Sequence, residues 1–279
     1  MRFAHIPGGL FIYGPEECYE RLELAPRMRL RQEMYLPAFN IGVYPVTYGE
    51  WKTFLDDTGW KWEGRWWRLA GGISGLFQRF APAKEYPAAL VDFPIVDVSQ
   101  RDAFAFCEWL SRKIGQRCTL PSEEQWEKAA RGPDGRTYPW GEEHPRPELR
   151  WQRRFPVGVE SWLFSMIVRP WRELARCGWY WRRGSPLAVG SIARNVSPYG
   201  CYDMAGNIWE WTASLYNPEY PDFHIVKGGS WGYSVHHTKL YVRSACSIII
   251  PSDHYHAQGT GFRVVTESEP DETRIAGGH

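Results

Sequence analysis

Gly200-Cys201-Tyr202-Asp203-Met204-Ala205-Gly206-Asn207-Ile208-Trp209-Glu210-Trp211 is the stretch that decides the fold of this chain. It places a short turn, Ala205–Ile208, directly before a Trp-Glu-Trp run. Trp209 and Trp211, with Trp231 further on, are suited to wedging irregular loops from beneath, where large aromatics supply packing that short strands lack. Downstream follow Lys227-Gly228-Gly229-Ser230-Trp231, Val242-Arg243-Ser244-Ala245 and Gly261-Phe262-Arg263. Arg243 and Arg263 each set a guanidinium among apolar neighbours, where it can hold several loop carbonyls or one carboxylate in fixed geometry. Upstream lie Tyr138-Pro139-Trp140-Gly141, the run from Leu120 to Gly132, Asp102-Ala103 leading into Cys107-Glu108-Trp109-Leu110, and Pro45-Val46-Thr47.

The upstream pieces read as three helices. Thr47 can cap the first, with Glu50 three residues later and Trp51, Phe54 and Leu55 on one face. The second starts at Ser99 with Asp102 in its first turn, repeats Ala103, Phe106, Cys107 and Leu110 at helical spacing, and stops at Gly115. The third begins with a Ser122/Gln125 capping box and ends at Gly132. Elsewhere the chain reads as short strands, at Gly9–Tyr13, Phe39–Tyr44, Phe223–Lys227, Tyr241–Ala245 and Gly261–Val265, joined by long loops punctuated with Gly and Pro. The expected architecture is therefore α+β, one domain over residues 1–265. Two Trp- and Arg-rich stretches near 59–94 and 151–187 read as insertions, and 266–279 as a flexible polar tail.

The 279 residues carry 33 Lys and Arg against 32 Asp and Glu, a balance with no nucleic-acid footprint and no polybasic membrane patch. Apolar residues are 43% and charged residues 23%, the composition of a globular rather than a disordered chain. The start, MRFAHIPGGLFIYG, is broken by Pro7, Gly8 and Gly9 and does not read as a signal peptide, so the expected location is the cytoplasm and no membrane insertion is expected. The six cysteines form no CxxC pair and no zinc-ribbon spacing. They read as buried thiols.

Taken in order, the quoted motifs resemble the formylglycine-generating-enzyme-like (sulfatase-modifying factor) family, over residues 5 to 265. The resemblance implies a C-type-lectin-related fold. It also implies one of three kinds of activity: copper-dependent oxidation of a substrate cysteine, iron-dependent sulfoxide synthesis with an added helical domain, or non-catalytic binding as in the variable proteins of diversity-generating retroelements. The copper type needs two close thiolates, because soft sulfur ligands select Cu(I). The two positions that the family gives to those cysteines are Tyr233 and Thr238 here, and neither supplies a thiolate. Copper-dependent formylglycine generation is therefore disfavoured. The chain has no HxxxH motif for the iron type. Its histidines cluster instead at His236-His237 and His254-x-His256, imidazole donors of the type an adventitious Zn, Cu, Fe or Ni ion takes. The resemblance also implies a structural Ca²⁺ held by Asn207 and Glu210 with carbonyls of the Ala205–Ile208 turn, since Ca²⁺ takes hard oxygen ligands from short loops. The alternative is that Glu210 pairs with a buried arginine or caps the turn.

Between the motifs near the end lie three runs, GYSVHH (232–237), CSIII (246–250) and SDHYHA (252–257), that make little sense as secondary structure. Mutagenesis of AAC codons at adenine cannot produce Lys, Glu, Gln, Met or Trp. These five types make up 57 of the 279 residues, yet none occurs in the three runs. The pattern is similar to that of a retroelement variable protein. It implies an exposed recognition surface built from Gly232, Tyr233, Ser234, His236, His237, Ser247, Ile249, His254, Tyr255 and His256. Tyr and His offer contact area with a polar handle, and Ser and Gly adaptable hydrogen bonds. Ile248, Ile249 and Ile250 anchor a partner if they face outward and are ordinary core if they face inward. The expected partner is a protein or other macromolecule. A metal-dependent oxidoreductase of the same family and a purely structural module stand as the alternatives.

Overall fold

The computed structural model describes residues 1–14, 31–64, 66–70, 79–143, 185–231, 244–245 and 259–267. Three helices form where the capping signals fall. α1 (Tyr48–Thr58) is closed by reciprocal Thr47 and Glu50 hydrogen bonds and ends at Gly59 in the left-handed conformation. α2 (Gln100–Ile114) begins with the same device between Ser99 and Asp102 and ends at Gly115. α3 (Glu123–Arg131) uses Ser122 and Gln125, and Gly132 follows its last residue.

The described strands are short: β1 (Phe3–Ile6), β2 (Gly9–Tyr13), β3 (Gln32–Leu36), β4 (Phe39–Gly42), β5 (Trp66–Ala70), β6 (Arg79–Ala83), β7 (Cys118–Thr119), β8 (Trp209–Asn217), β9 (Tyr220–Lys227), β10 (Ser244–Ala245), β11 (Thr260–Phe262) and β12 (Val265–Glu267). They form two four-stranded sheets, ordered β1-β4-β12-β7 and β10-β9-β8-β11, and two hairpins, β2-β3 and β5-β6. In the second sheet β11 runs parallel to β8, with Gly261 opposite Glu210, while β9 is antiparallel to β8 and β10 antiparallel to β9.

Two packed cores lie against these sheets. The first is aromatic: Trp51 and Phe54 of α1 and Phe106 of α2 meet Ile208, Trp209, Trp211, Trp231 and Phe262. Trp51 stacks on Phe106 at 5.9 Å between ring centroids and meets Phe262 edge-on at 6.1 Å, arrangements that aromatic quadrupoles favour. In the second core Trp126, Ala129 and Ala130 of α3 pack against Ile6, Phe39, Ile41 and Val265 of the first sheet, with Cys201, Met204 and Ala205. Trp209, Trp211 and Trp231 are all buried, in the wedging role expected of them.

The fold is the α+β architecture read from the sequence, with differences in detail. The single strand expected over Gly261–Val265 is divided between β11 in the second sheet and β12 in the first. Residues 59–94 are not a bare loop: they contain the β5-β6 hairpin and a 3₁₀ turn at Ala88–Leu90. Trp62 and Trp66 from this stretch meet edge-on at 4.9 Å, and Trp62 also packs on Trp51 at 5.8 Å, so its tryptophans extend the first core. The long strand β8 is absent from the strands expected above although Trp209 to Leu215 alternates apolar and polar residues; both of its faces are buried at its start, and its pairing with β9 is irregular. The tail also begins later than expected: Thr266 is buried in β12, opposite Asn40 of β4 and Cys118 of β7. Most of the second insertion, residues 151–184, lies outside the described residues. Among the described residues no helix is long and apolar enough to cross a membrane.

Candidate functional site

All ten residues expected to form the recognition surface, Gly232, Tyr233, Ser234, His236, His237, Ser247, Ile249, His254, Tyr255 and His256, lie outside the described residues, as does Arg243. What the structure places is the base from which they spring. The first run follows Trp231, just beyond the end of β9. β10 separates the first run from the other two, and β11 receives the chain after them. Ser244 pairs with Val226, Glu210 with Lys227 and Thr260 with Trp209, so the starts of β10, β8 and β11 and the end of β9 share one end of the second sheet.

The Ala205–Trp209 stretch ties these roots together through its backbone. Gly206 N donates to Gly228 O at 2.7 Å, Trp231 N donates to Asn207 O at 3.2 Å, and Trp209 N donates to Gly259 O at 2.9 Å. Two glycines are required by this closeness. Gly228 has φ +95°, and a Cβ there would lie 3.3 Å from the Trp126 ring and 3.4 Å from Ile208 O. A Cβ at Gly261 would stand 2.1 Å from Ile95 O, which no side chain can tolerate.

Arg263 is wholly buried and does both jobs that its sequence context suggests. Its Nε donates to Glu210 Oε2 at 2.6 Å and its Nη2 to Glu210 Oε1 at 2.7 Å, a bidentate pair. Its remaining donors reach Gly42 O at 2.9 Å and Tyr202 O at 3.0 Å. Burial opposes its charge, but Glu210 outweighs burial and holds the guanidinium above its ordinary range. Trp126 Nε1 is a third donor to the Glu210 carboxylate, reaching Oε2 at 2.7 Å.

Glu210 is therefore found in the buried-arginine pairing. Asn207, in the left-handed region at φ +69°, accepts from Leu187 N through Oδ1 at 3.0 Å and donates from Nδ2 to Leu187 O at 3.2 Å. Both oxygens of the Glu210 carboxylate and both polar atoms of the Asn207 amide are engaged within the protein. A Ca²⁺ ion, which needs about six or more oxygens, would have to take those of Asn207 and Glu210 from their present partners. No cluster of three or more His, Cys, Asp or Glu side chains fit to hold a metal occurs among the described residues. Cys107, Cys118 and Cys201 are free thiols raised above their ordinary range by burial, the opposite of what a thiolate ligand needs.

Two features of this region escape a reading of the sequence. Asp203 is buried, with φ +60°, and accepts from Gly190 N at 2.7 Å. Burial raises its carboxyl to about 6, and nearby Glu210 adds to the effect, while the Gly190 hydrogen bond and Arg263 oppose it. The second feature is a buried ionic network on α3. Glu127 accepts from Lys227 Nζ at 2.9 Å, from Arg131 Nη1 at 2.7 Å and from Gly14 N at 2.7 Å. Burial alone would raise its carboxyl, but Lys227 and Arg131 together hold it below the ordinary range. Arg131 also donates to Gly14 O, Gly135 O and Arg136 O, and Lys128 donates to Pro7 O and Gly9 O. Only the Lys-Gly-Gly-Ser-Trp motif hints at this, by ending a strand on a lysine before two glycines.

Residues 2–268 match the family model described as the sulfatase-modifying factor enzyme 1-like domain. The chain is 31% identical over 259 residues to the inactive C-alpha-formylglycine-generating enzyme 2 of Mus musculus, a match covering 82% of this chain and 73% of that protein. It is 29% identical over 262 residues to the hercynine oxygenase of Mycolicibacterium smegmatis, covering 81% of this chain but only 53% of that protein. Among solved structures, Treponema denticola variable protein 1 has the same fold, with a TM-score of 0.58, 17% identity and 95% of each chain covered. The motifs, the sheet arrangement and these matches agree, and the chain belongs to the sulfatase-modifying factor, or formylglycine-generating-enzyme-like, family.

Proposed function

We propose that this chain is a non-enzymatic, ligand-binding member of its family, with a recognition surface built from 232–237 and 246–256. One observation carries the reading: both ends of this segment are rooted at one end of a four-stranded sheet, on residues held by buried hydrogen bonds. A rigid base of this kind leaves recognition to the loops above it. The composition of the three runs, rich in Tyr, His and Ser, suits a protein or other macromolecular partner. Likeness of fold to a Treponema variable protein and sequence similarity to a relative named as inactive both support the reading. In the same reading Asn207 and Glu210 are struts of the base rather than calcium ligands. A reverse-transcriptase gene and a near-copy of the 3′ coding segment beside this gene would support the diversified origin of the loops; their absence would remove it.

The direct test is chemical. With Cu(I) and a cysteine-containing peptide, the purified protein is expected to give no oxidation above background, because Tyr233 and Thr238 stand at the two thiolate positions. Turnover that disappears in Cys246→Ala would overturn the binding assignment.

The similarity to a hercynine oxygenase favours a second reading, a metal-dependent oxidoreductase. Its candidate donors are His236, His237, His254 and His256. Anaerobic Fe(II) titration followed by oxygen uptake separates the two readings, since a binding protein consumes no oxygen.

A further inference from the structure

The segment from 232 to 258 is flanked by two wholly buried cations, Lys227 before it and Arg263 after it, each paired with a buried carboxylate. Lys227 pairs with Glu127 of α3 and Arg263 with Glu210 of β8. One side chain touches both pairs. The Trp126 ring lies beneath the Lys227 ammonium, 5.7 Å from centroid to Nζ, and packs where a Cβ on Gly228 would lie 3.3 Å away. Its Nε1 donates to the same Glu210 oxygen that receives Arg263 Nε, at 2.7 and 2.6 Å. The line Arg131–Glu127–Lys227–Trp126–Glu210–Arg263 is therefore continuous, and all of it is buried. In a low-dielectric interior, linked polar groups of this kind fix one another's geometry.

We propose that Trp126 is a positioning residue that couples the two roots of the 232–258 segment, so that loosening either root loosens the other. The inference concerns the base of the segment whatever its loops carry. It therefore stands or falls separately from the ligand-binding reading.

Amide hydrogen exchange in the intact protein tests it. Gly206 N and Trp231 N report on the first root through their bonds to Gly228 O and Asn207 O. Trp209 N and Val46 N report on the second through Gly259 O and Phe262 O. Trp126→Phe keeps an aromatic ring and deletes the N–H. It is expected to speed exchange at both roots by roughly five- to tenfold, the scale of one buried hydrogen bond, with the interiors of α1 and α2 unchanged. Faster exchange at one root alone, or an equal increase in α1 and α2, would overturn the coupling. If Trp126→Phe does not fold, Glu210→Gln takes its place. The neutral amide of that variant cannot form the ion pair with Arg263, and the Glu210 side chain makes no hydrogen bond to the first root among the described residues. Faster exchange at Gly206 and Trp231 in that variant supports the proposal, and unchanged exchange there refutes it.

Discussion

Helices α2 and α3 each open with a capping box and each carry a Glu–Arg pair four residues apart, yet the two pairs live in opposite environments. Glu108 and Arg112 on α2 meet at 2.7 Å with side chains 72% and 65% exposed. Glu127 and Arg131 on α3 meet at the same 2.7 Å with 1% and 4% exposed. Identical spacing and chemistry thus serve a solvated face in one helix and the centre of a network in the other. What decides between them is what lies outside the helix: Lys227, Gly14 and the β2-β3 hairpin close over α3, while the α2 pair stays open to solvent. An exposed pair is screened and contributes little. In a buried one, removing a partner strands a charge without solvent.

The largest effect expected from this contrast is at Glu127. Glu127→Ala leaves Lys227 and Arg131 buried without their shared carboxylate, and should cost on the order of 3–5 kcal/mol or prevent folding; denaturant melts measure it. Trp231→Ala should cost a similar ~3–5 kcal/mol through the cavity it leaves. Tyr233→Ala and Tyr255→Ala should stay within about 0.5 kcal/mol if those residues are exposed. Equal losses in all three would erase the division between base and recognition surface.

Asp203 gives an intermediate effect that depends on pH. Its folded carboxyl, at about 6, stands above the ordinary value of 3.8. Folding therefore favours its protonated form: its stabilising contribution is full below about pH 4 and is lost as pH rises through about 6. Asp203→Asn should remove that slope, gaining on wild type by on the order of 2–3 kcal/mol between about pH 4 and 7. Melts with and without a calcium chelator should agree; a drop on chelation would return calcium to this turn. The smallest effect is at the solvated pair, where Glu108→Ala should shift stability by no more than about 0.5 kcal/mol. A loss there as large as at Glu127 would end the comparison.

The same contrast explains what can be read in advance. Thr47, Ser99 and Ser122 announce their helices because a capping box is a local device, written within four residues. Arg263 can be anticipated because a guanidinium between Phe262 and Val264 has few places to go but inward. The Lys227–Glu127 pair joins residues 100 apart in sequence, and no pattern within α3 reveals which of its charges will be covered. Strand β8 alternates apolar and polar residues from Trp209 to Leu215, but both faces are buried at its start, Glu210 and Thr212 as fully as Trp211. The alternation therefore marks no solvent side, and its partner β9 pairs with it out of register in places. Asp203 gives no signal of its own, since an aspartate in a turn is usually solvated. Its burial follows from the segment around Gly190 that folds over it. The surface read from the three late runs rests on composition, and the structure adds the base that would carry it.

Strand β12 has a consequence for the making of the protein. It lies between β4 and β7, so Asn40 waits for a partner 226 residues later, at Thr266. Arg263, which locks the base, is translated just before it. A frameshift or stop codon anywhere in 232–258 removes both, leaving the first sheet without an inner strand and Glu210 buried without its cation. Such a product cannot complete its fold and is open to proteolysis. Completing the first sheet and pairing Glu210 therefore both require that the 232–258 segment be translated in frame through to its far side.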